Sequence, residues 1–282
     1  MKNDNLVKEF YDNYAEEERL LGPTGNIEFQ TTIMVINEEI EKIAAKKNGS
    51  PVTILDACAG TGAYSLYYAN RPGISVTATD LSKTNLDKLL DATISNITIT
   101  TDITVLPPID VLSLKESLIQ QEETEKYDIV LLMGALYHIS DYNTRLQAIE
   151  QAKSVLNPDG ILVTTHCMRY PTCFAVLVEA PEEIQMLPEF IDTGIVPDSI
   201  EGLHPFYSEK SIDTLQQHYA DTNLTITRIF SQDGVNKSLT TYINKLSAKD
   251  YQIFLDLHLK VCEDPYILGS SAHVAVISKF NH

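Results

Sequence analysis

Asp56 leads directly into Ala57, Cys58, Ala59, Gly60, Thr61 and Gly62, so a carboxylate closing the apolar run Val52–Leu55 opens a loop of small residues. Gly60 and Gly62 carry no side chain, so a flat ligand can approach the backbone there. Amides at the start of the following helix favour electronegative ligand atoms. A dinucleotide G-x-G-x-x-G would need a third glycine where Ser65 stands, and its acid comes about 20 residues after the glycines. Here an acid also precedes them. A carboxylate in that place repels a pyrophosphate and suits a cationic or zwitterionic ligand. Asp80 follows Gly62 by 18 residues, near the spacing at which a carboxylate meets ribose hydroxyls. Each such charge-assisted bond is worth about 1.5–3 kcal/mol. A third acid after the third strand, Asp102 or Asp110, completes the set.

These residues need a sheet edge to bring them together. Strands alternate with helices from residue 51 onward, the pattern of an α/β fold with a doubly wound, mostly parallel sheet. Strands are predicted at Val52–Leu55, Ser75–Asp80, Tyr127–Met133, Ile161–Thr165, Leu224–Phe230 and His273–Ser278. A further strand lies between 97 and 114, with Ile99 or Ile103–Val105 as its core. Asn157-Pro158-Asp159-Gly160 reads as a turn, proline presetting φ and glycine taking a positive one. Ahead of the sheet, a polar helical stretch over 6–20 carries Tyr11, Tyr14 and Arg19. Gly22-Pro23-Thr24-Gly25 breaks it. A second helix then places Phe29, Ile33, Ile36, Ile40 and Ile43 on one stripe. The expected organisation is a helical lid and first core helix over 1–50, a cofactor-binding α/β core over 51–167 and a cap insertion over 168–207. Residues 208–282 complete the core with a helix over 208–219, an antiparallel strand pair and a second helical insertion at about 238–263. In such sheets ligands bind outside the carboxyl ends of the strands, where strand order reverses. Met133 and Gly134, ending the fourth strand, fall on that edge.

Composition narrows the partners. At 282 residues, with 44% apolar and 21% charged residues, the chain reads as a soluble globular protein. A net charge of −18 works against nucleic acid, which is bound through a lysine and arginine surplus. No apolar run reaches transmembrane length. Cys58, Cys167, Cys173 and Cys262 show no metal spacing and read as small buried thiols in a reducing compartment. The expectation is a cytoplasmic protein, monomer or homodimer, with a small-molecule substrate, no membrane or nucleic-acid partner and no metal.

The loop resembles motif I of the class I S-adenosylmethionine-dependent methyltransferases, Asp/Glu-x-Gly-x-Gly-x-Gly. Asp56, Gly60 and Gly62 match, and Cys58 replaces the first glycine. Asp80 fits motif II and Asp110 motif III. Lys126–Leu131 resembles motif IV, and Val155–Leu162 resembles the LxPGG turn into the fifth strand. Phe10–Tyr14, Glu17–Leu20, Leu132–His138 and Cys262–His273 are similar to a group of bacterial small-molecule members.

The resemblance implies a seven-stranded Rossmann-like methyltransferase sheet with helical cap insertions, S-adenosyl-L-methionine as cofactor and S-adenosyl-L-homocysteine as product. It implies cofactor contacts from Tyr11, Arg19, Asp56, Ala57, Cys58, Gly60, Gly62, Asp80, Leu81, Asp110, Met133 and Gly134. The sulfonium invites in-line displacement by an oxygen or nitrogen nucleophile held at about 3–3.5 Å in a water-poor site. His138 is the candidate general base, with Tyr137 and Tyr14 beside the chemistry. Tyr11 and Tyr14, three apart, either close over the cation or pack on the core. Arg19 would pair with the methionine carboxylate. His204, Tyr207 and His273 are candidates for the acceptor pocket. Another group transfer, such as aminopropyl transfer, would need an extra strand-end acid near the acceptor amine, which the sequence does not identify. The rival functions are a non-catalytic ligand-binding module and, more distantly, a nicotinamide enzyme.

Overall fold

The computed structural model describes Val7, Asp12 and residues 19–95, 103–196 and 206–281. Helix α1 (Pro23–Ala44) starts where Pro23, lacking an amide hydrogen, takes the first helical position. Its buried face is wider than one stripe. Ile33, Ile36 and Ile40 pack on the sheet, while Ile27 packs with Ile243 and Leu255 of later helices. Thr31 and Thr32, also buried, satisfy their hydroxyls on the carbonyls of Ile27 and Glu28.

The sheet contains β1 (Val52–Asp56), β2 (Ile74–Ala78), β3 (Ile103–Val105), β4 (Tyr127–Leu132), β5 (Leu156–Met168), β6 (Ser208–Glu209), β7 (Leu224–Ser231) and β8 (His273–Phe280). The order is β3-β2-β1-β4-β5-β8-β7, with the two-residue β6 beside the end of β5. β1 to β5 run parallel, and β8 is antiparallel to both β5 and β7. The sheet thus has eight strands where seven were expected. β6 replaces the first turn of the helix predicted over 208–219, which begins only at Ile212, where Ser211 caps it.

Helices α2 (Ala63–Ala69), α3 (Lys83–Ser95), α4 (Leu114–Gln120) and α5 (Tyr142–Ser154) connect the parallel strands. Then come α6 (Arg169–Glu179), α7 (Leu187–Thr193) and α8 (Ile212–Asp221), followed by α9 (Asn236–Ile243), α10 (Ala248–Val261) and α11 (Pro265–Leu268). β4 is buried on both faces. Val130 and Leu132 face the α4, α5 and α8 side, while Ile129 and Leu131 face α1 and α2. Alternate residues of a strand point to opposite faces, so a continuous apolar run is what a twice-covered strand requires.

The predicted turn at 157–160 is instead an irregularity inside β5. Pairing with β4 jumps from Tyr127–Leu156 to Ile129–Ile161, and Asn157 donates to Asp128 Oδ1 at 2.9 Å. Gly160 is not in the left-handed region. A Cβ there would lie 2.9 Å from the Asp128 carbonyl oxygen and 3.0 Å from that of Asn157. Glycine serves close approach here, not a positive φ.

Candidate active site

Strand order reverses between β1 and β4, and the loops leaving these strands and β2 open into one cavity of ≈ 1060 Å³. That is at the upper end of the ~300–1,000 Å³ typical of a single ligand pocket. The β1 loop continues the ladder before it turns, with Ala57 N donating to Leu131 O and Ala59 N to Thr79 O, both at 2.9 Å. Gly62 caps α2 at φ +90°, and a Cβ there would meet Leu89 Cδ1 at 2.2 Å. Only glycine fits.

The rim acids divide their work. Asp80 lines the cavity. Its Oδ2 accepts from Gly60 N and its Oδ1 from Ser82 N, both at 2.8 Å. A carboxylate oxygen carries two lone pairs, so each can accept a ligand hydroxyl beside its amide. Asp110 also lines the cavity and caps the short turn Val111–Ser113 by accepting from Leu112 N at 2.9 Å. Asp56 differs from its expected place. It is 2% exposed, lies beneath the loop rather than on the lining, and accepts from Ser65 Oγ at 2.7 Å. Burial raises its pKa to about 7, a rise opposed by Ser65 and assisted by the charge of Asp80. The carboxylates presented to a ligand are therefore Asp80 and Asp110.

Ala57, Cys58, Gly60, Leu81, Met133 and Gly134 line the same cavity, as do Arg19, Tyr137, His138 and His273. Gly134 sits at φ +102°, which side chains rarely adopt. Arg19 pairs with Glu28 of α1 at 2.7 Å. Asp12, from the N-terminal stretch, accepts from Ser82 Oγ at 2.5 Å, and Val7 also reaches the cavity. Tyr11, Tyr14 and His204 lie outside the described residues, as does Asp102.

Beyond Gly134 the lining continues through Tyr137, His138, Thr165, Cys167, Phe206 and His273. The Tyr137 ring lies 4.6 Å from that of His138 and 6.2 Å from that of His273. Asp233, at the end of β7, orients His273. Its Oδ2 lies 2.8 Å from Nδ1, and its Oδ1 accepts from His273 N at 3.0 Å. Burial disfavours the imidazolium, but Cys167 and Asp233 outweigh it and raise the His273 pKa to about 10. These neighbours favour the protonated ring. Asp233 escaped the sequence reading, although an acid at a strand end is part of the signal that located Asp80.

Tyr207 is off the lining. Its ring lies 3.8 Å from the Arg145 guanidinium carbon and its hydroxyl donates to Glu209 Oε2 at 3.2 Å. Its amide donates to Tyr137 O at 2.6 Å, so Tyr207 supports the wall from behind. Arg145 is buried in the same layer. It donates to His218 Nε2 at 3.1 Å and to the carbonyls of Ile139 and Ser140 at 2.7 and 2.9 Å. Burial and Arg145 lower the His218 pKa to about 4, so the ring is neutral and can accept.

Glycines at a strand-helix turn, an acid ending the neighbouring strand and a parallel sheet closed by an antiparallel strand pair are the features that the resemblance to class I S-adenosylmethionine-dependent methyltransferases implied. Residues 55–162 match the methyltransferase domain family. In this chain the matched stretch spans the glycine loop and strands β2 to β4, and the fold around it is that of proteins solved with S-adenosylmethionine or S-adenosylhomocysteine bound. Its fold is similar to that of magnesium protoporphyrin IX methyltransferase (ChlM) from Synechocystis PCC 6803, solved with bound SAH. The two are 13% identical over 99% of this chain and 100% of that one, with a TM-score of 0.59. It is likewise similar to the N-methyltransferase NodS from Bradyrhizobium japonicum WM9 in complex with S-adenosyl-L-homocysteine, at 12% identity over 99% and 100% and a TM-score of 0.56. The CcbJ methyltransferase from Streptomyces caelestis is 14% identical over 98% and 96%, with a TM-score of 0.54. No curated protein matches the sequence. Among the described residues, no group of His, Cys, Asp and Glu is placed to hold a metal ion, and no helix is long and apolar enough to cross a membrane.

Proposed function

We propose that this enzyme methylates an oxygen or nitrogen of a small molecule seated in the lobe bounded by Tyr137, His138 and His273. The observation that carries the reading is the Asp80 carboxylate, fixed by Gly60 N and Ser82 N on the lining of the cavity. That arrangement suits a ribose. Ile109, Val111 and Leu112 offer an apolar slot for the adenine, with Asp110 at its edge. When bound, the cofactor supplies a methyl group made electrophilic by its sulfonium.

The chain's own residues hold, dry and deprotonate. Arg19, beside Glu28, faces the cofactor's amino-acid end. Met133 and Gly134 let the donor and acceptor meet in line, and the apolar walls exclude water. His138 accepts the acceptor's proton at its ring nitrogen. His273, positioned by Asp233, donates to an acceptor oxygen and orients it. The described residues of the N-terminal stretch, Val7, Asp12 and those at 19–21, serve as lid, and those at 168–196 and 206–207 as cap. The acidic surface and this enclosure favour a small molecule over nucleic acid.

Calorimetry with S-adenosylmethionine and S-adenosylhomocysteine, followed by a methyl-transfer screen on small nucleophiles, tests the proposal. Asp80→Ala should weaken cofactor binding at least tenfold, on the order of 1.4 kcal/mol or more. His138→Ala should lower turnover far more than cofactor affinity. Unchanged affinity in the first variant removes the ribose role, and full activity in the second removes the base. Transfer to a protein or nucleic acid but to no small nucleophile would overturn the substrate class.

A further inference from the structure

The described cap residues that line the cavity form an apolar surface. Thr172, Ala175 and Val176, three and four residues apart, place one face of α6 on the lining. Met186, ending the helical turn Pro181–Met186, continues that surface with Val196 and Phe206. None of the described cap residues on the lining carries a charge. The Thr172 hydroxyl donates to Met168 O at 2.7 Å, so its proton is already committed within the helix. Arg169, a buried cation of the cap, donates to the carbonyls of Ile191, Asp192, Thr193 and Ser208 and is not on the lining.

This surface is firmly backed. Val196 is buried with Cys173 and Phe190, and Met186 and Phe206 pack against that cluster. The Phe190 and Phe206 rings meet edge to face with centroids 6.1 Å apart. The strand-end wall is different in kind, since Tyr137, His138, Thr165 and His273 bring it polar atoms. The acidic and basic side chains of the described lining are Arg19, Glu28, Asp80, Lys88 and Asp110, all from the N-terminal half of the chain. A molecule lying between cap and strand ends therefore finds hydrogen-bonding partners at one end only. A charged or unpaired polar group pressed against the cap would lose its water without compensation, whereas each methylene placed there gains.

We propose that the methyl acceptor is an amphipathic small molecule, with an uncharged alkyl or aromatic body against Val176, Met186 and Phe206. Its single polar end, bearing the nucleophilic oxygen or nitrogen, lies at Tyr137, His138 and His273. The inference rests on the reading of this lobe as the acceptor's seat. It sets the acceptor apart from phosphorylated metabolites, sugars and free amino acids, whose polar groups are spread over the whole molecule.

The test is calorimetric titration of the full chain, saturated with S-adenosylhomocysteine, with the 4-alkylphenols from methyl to butyl. Affinity should rise about three- to fourfold with each added CH2. 4-Hydroxybenzoate, which carries a carboxylate where the series carries its chain, should bind at least about tenfold more weakly than 4-ethylphenol. Val176→Asp should weaken 4-butylphenol at least about tenfold while S-adenosylhomocysteine binding persists. A flat series, no binding by any member, or tighter binding of the carboxylate overturns the proposal. The series is read on the unsubstituted chain and decides the matter if the variant does not fold. Because it measures binding, its outcome is separate from that of the transfer screen. Methyl transfer to a charged acceptor alongside a flat series would sink this inference and leave the small-molecule reading in place.

Discussion

Asp56 keeps its proton under the glycine loop, and that has a consequence for stability against pH. Its carboxyl titrates near 7 in the folded chain against an ordinary 3.8. Between about pH 4 and about pH 7 the folded state therefore retains a proton that the unfolded state has lost, and stability falls as pH rises. Asn does not ionise and can still accept from Ser65. Asp56→Asn should thus gain stability relative to the unsubstituted protein across this window, reaching its full gain above about pH 7. Urea unfolding at several pH values measures it, and a difference that is flat or shrinks with rising pH refutes the assignment. The sequence located Asp56, Asp80 and the two glycines from spacing alone. It could not show that Asp56 turns inward, because that depends on Ser65 and on burial of the loop. Asp233 escaped for a related reason, since its partner His273 lies 40 residues away.

Arg145 shows how one side chain fixes several elements. From α5 it holds His218 of α8, the two carbonyls at Ile139 and Ser140 and the face of Tyr207, all behind the acceptor lobe. Glu209, also buried and raised in pKa by that burial, is opposed in this by the same guanidinium. Arg145→Ala would leave these groups unsatisfied, so the expected loss is about 3–5 kcal/mol, a fall in Tm of roughly 10 °C. A loss under about 1 kcal/mol in chemical unfolding would show that the network is not holding the wall. The parallel strands were legible because a twice-covered strand must be apolar throughout. β6 was not, since two residues carry no period, and the segment at 157–160 misled because proline and glycine signal turns and bulges alike. Spacing exposes only one stripe on α1, as the tertiary structure alone reveals that α9 and α10 cover its second side.

Over the whole molecule, 39 acidic residues face 21 basic ones, and the excess repels itself in the compact state. Adding sodium chloride from about 10 to about 150 mM shortens the screening length from about 30 to about 8 Å. Thermal unfolding should therefore move to higher temperature with salt, and a Tm that stays level or falls would contradict a global repulsion. The overall class was readable because alternation of strand and helix admits few topologies. The acceptor wall was not, because β5, β7 and β8 meet from distant parts of the chain.

That meeting sets an order of assembly during translation. β7 leaves the ribosome before β8, yet its place in the sheet is reached only through β8, which slots between it and β5. The half of the rim built on β1, β2 and β4 can form while the rest is still being made. The half that holds His273 depends on the last strand, so in chain order the glycine-loop side of the rim is complete before the opposite wall.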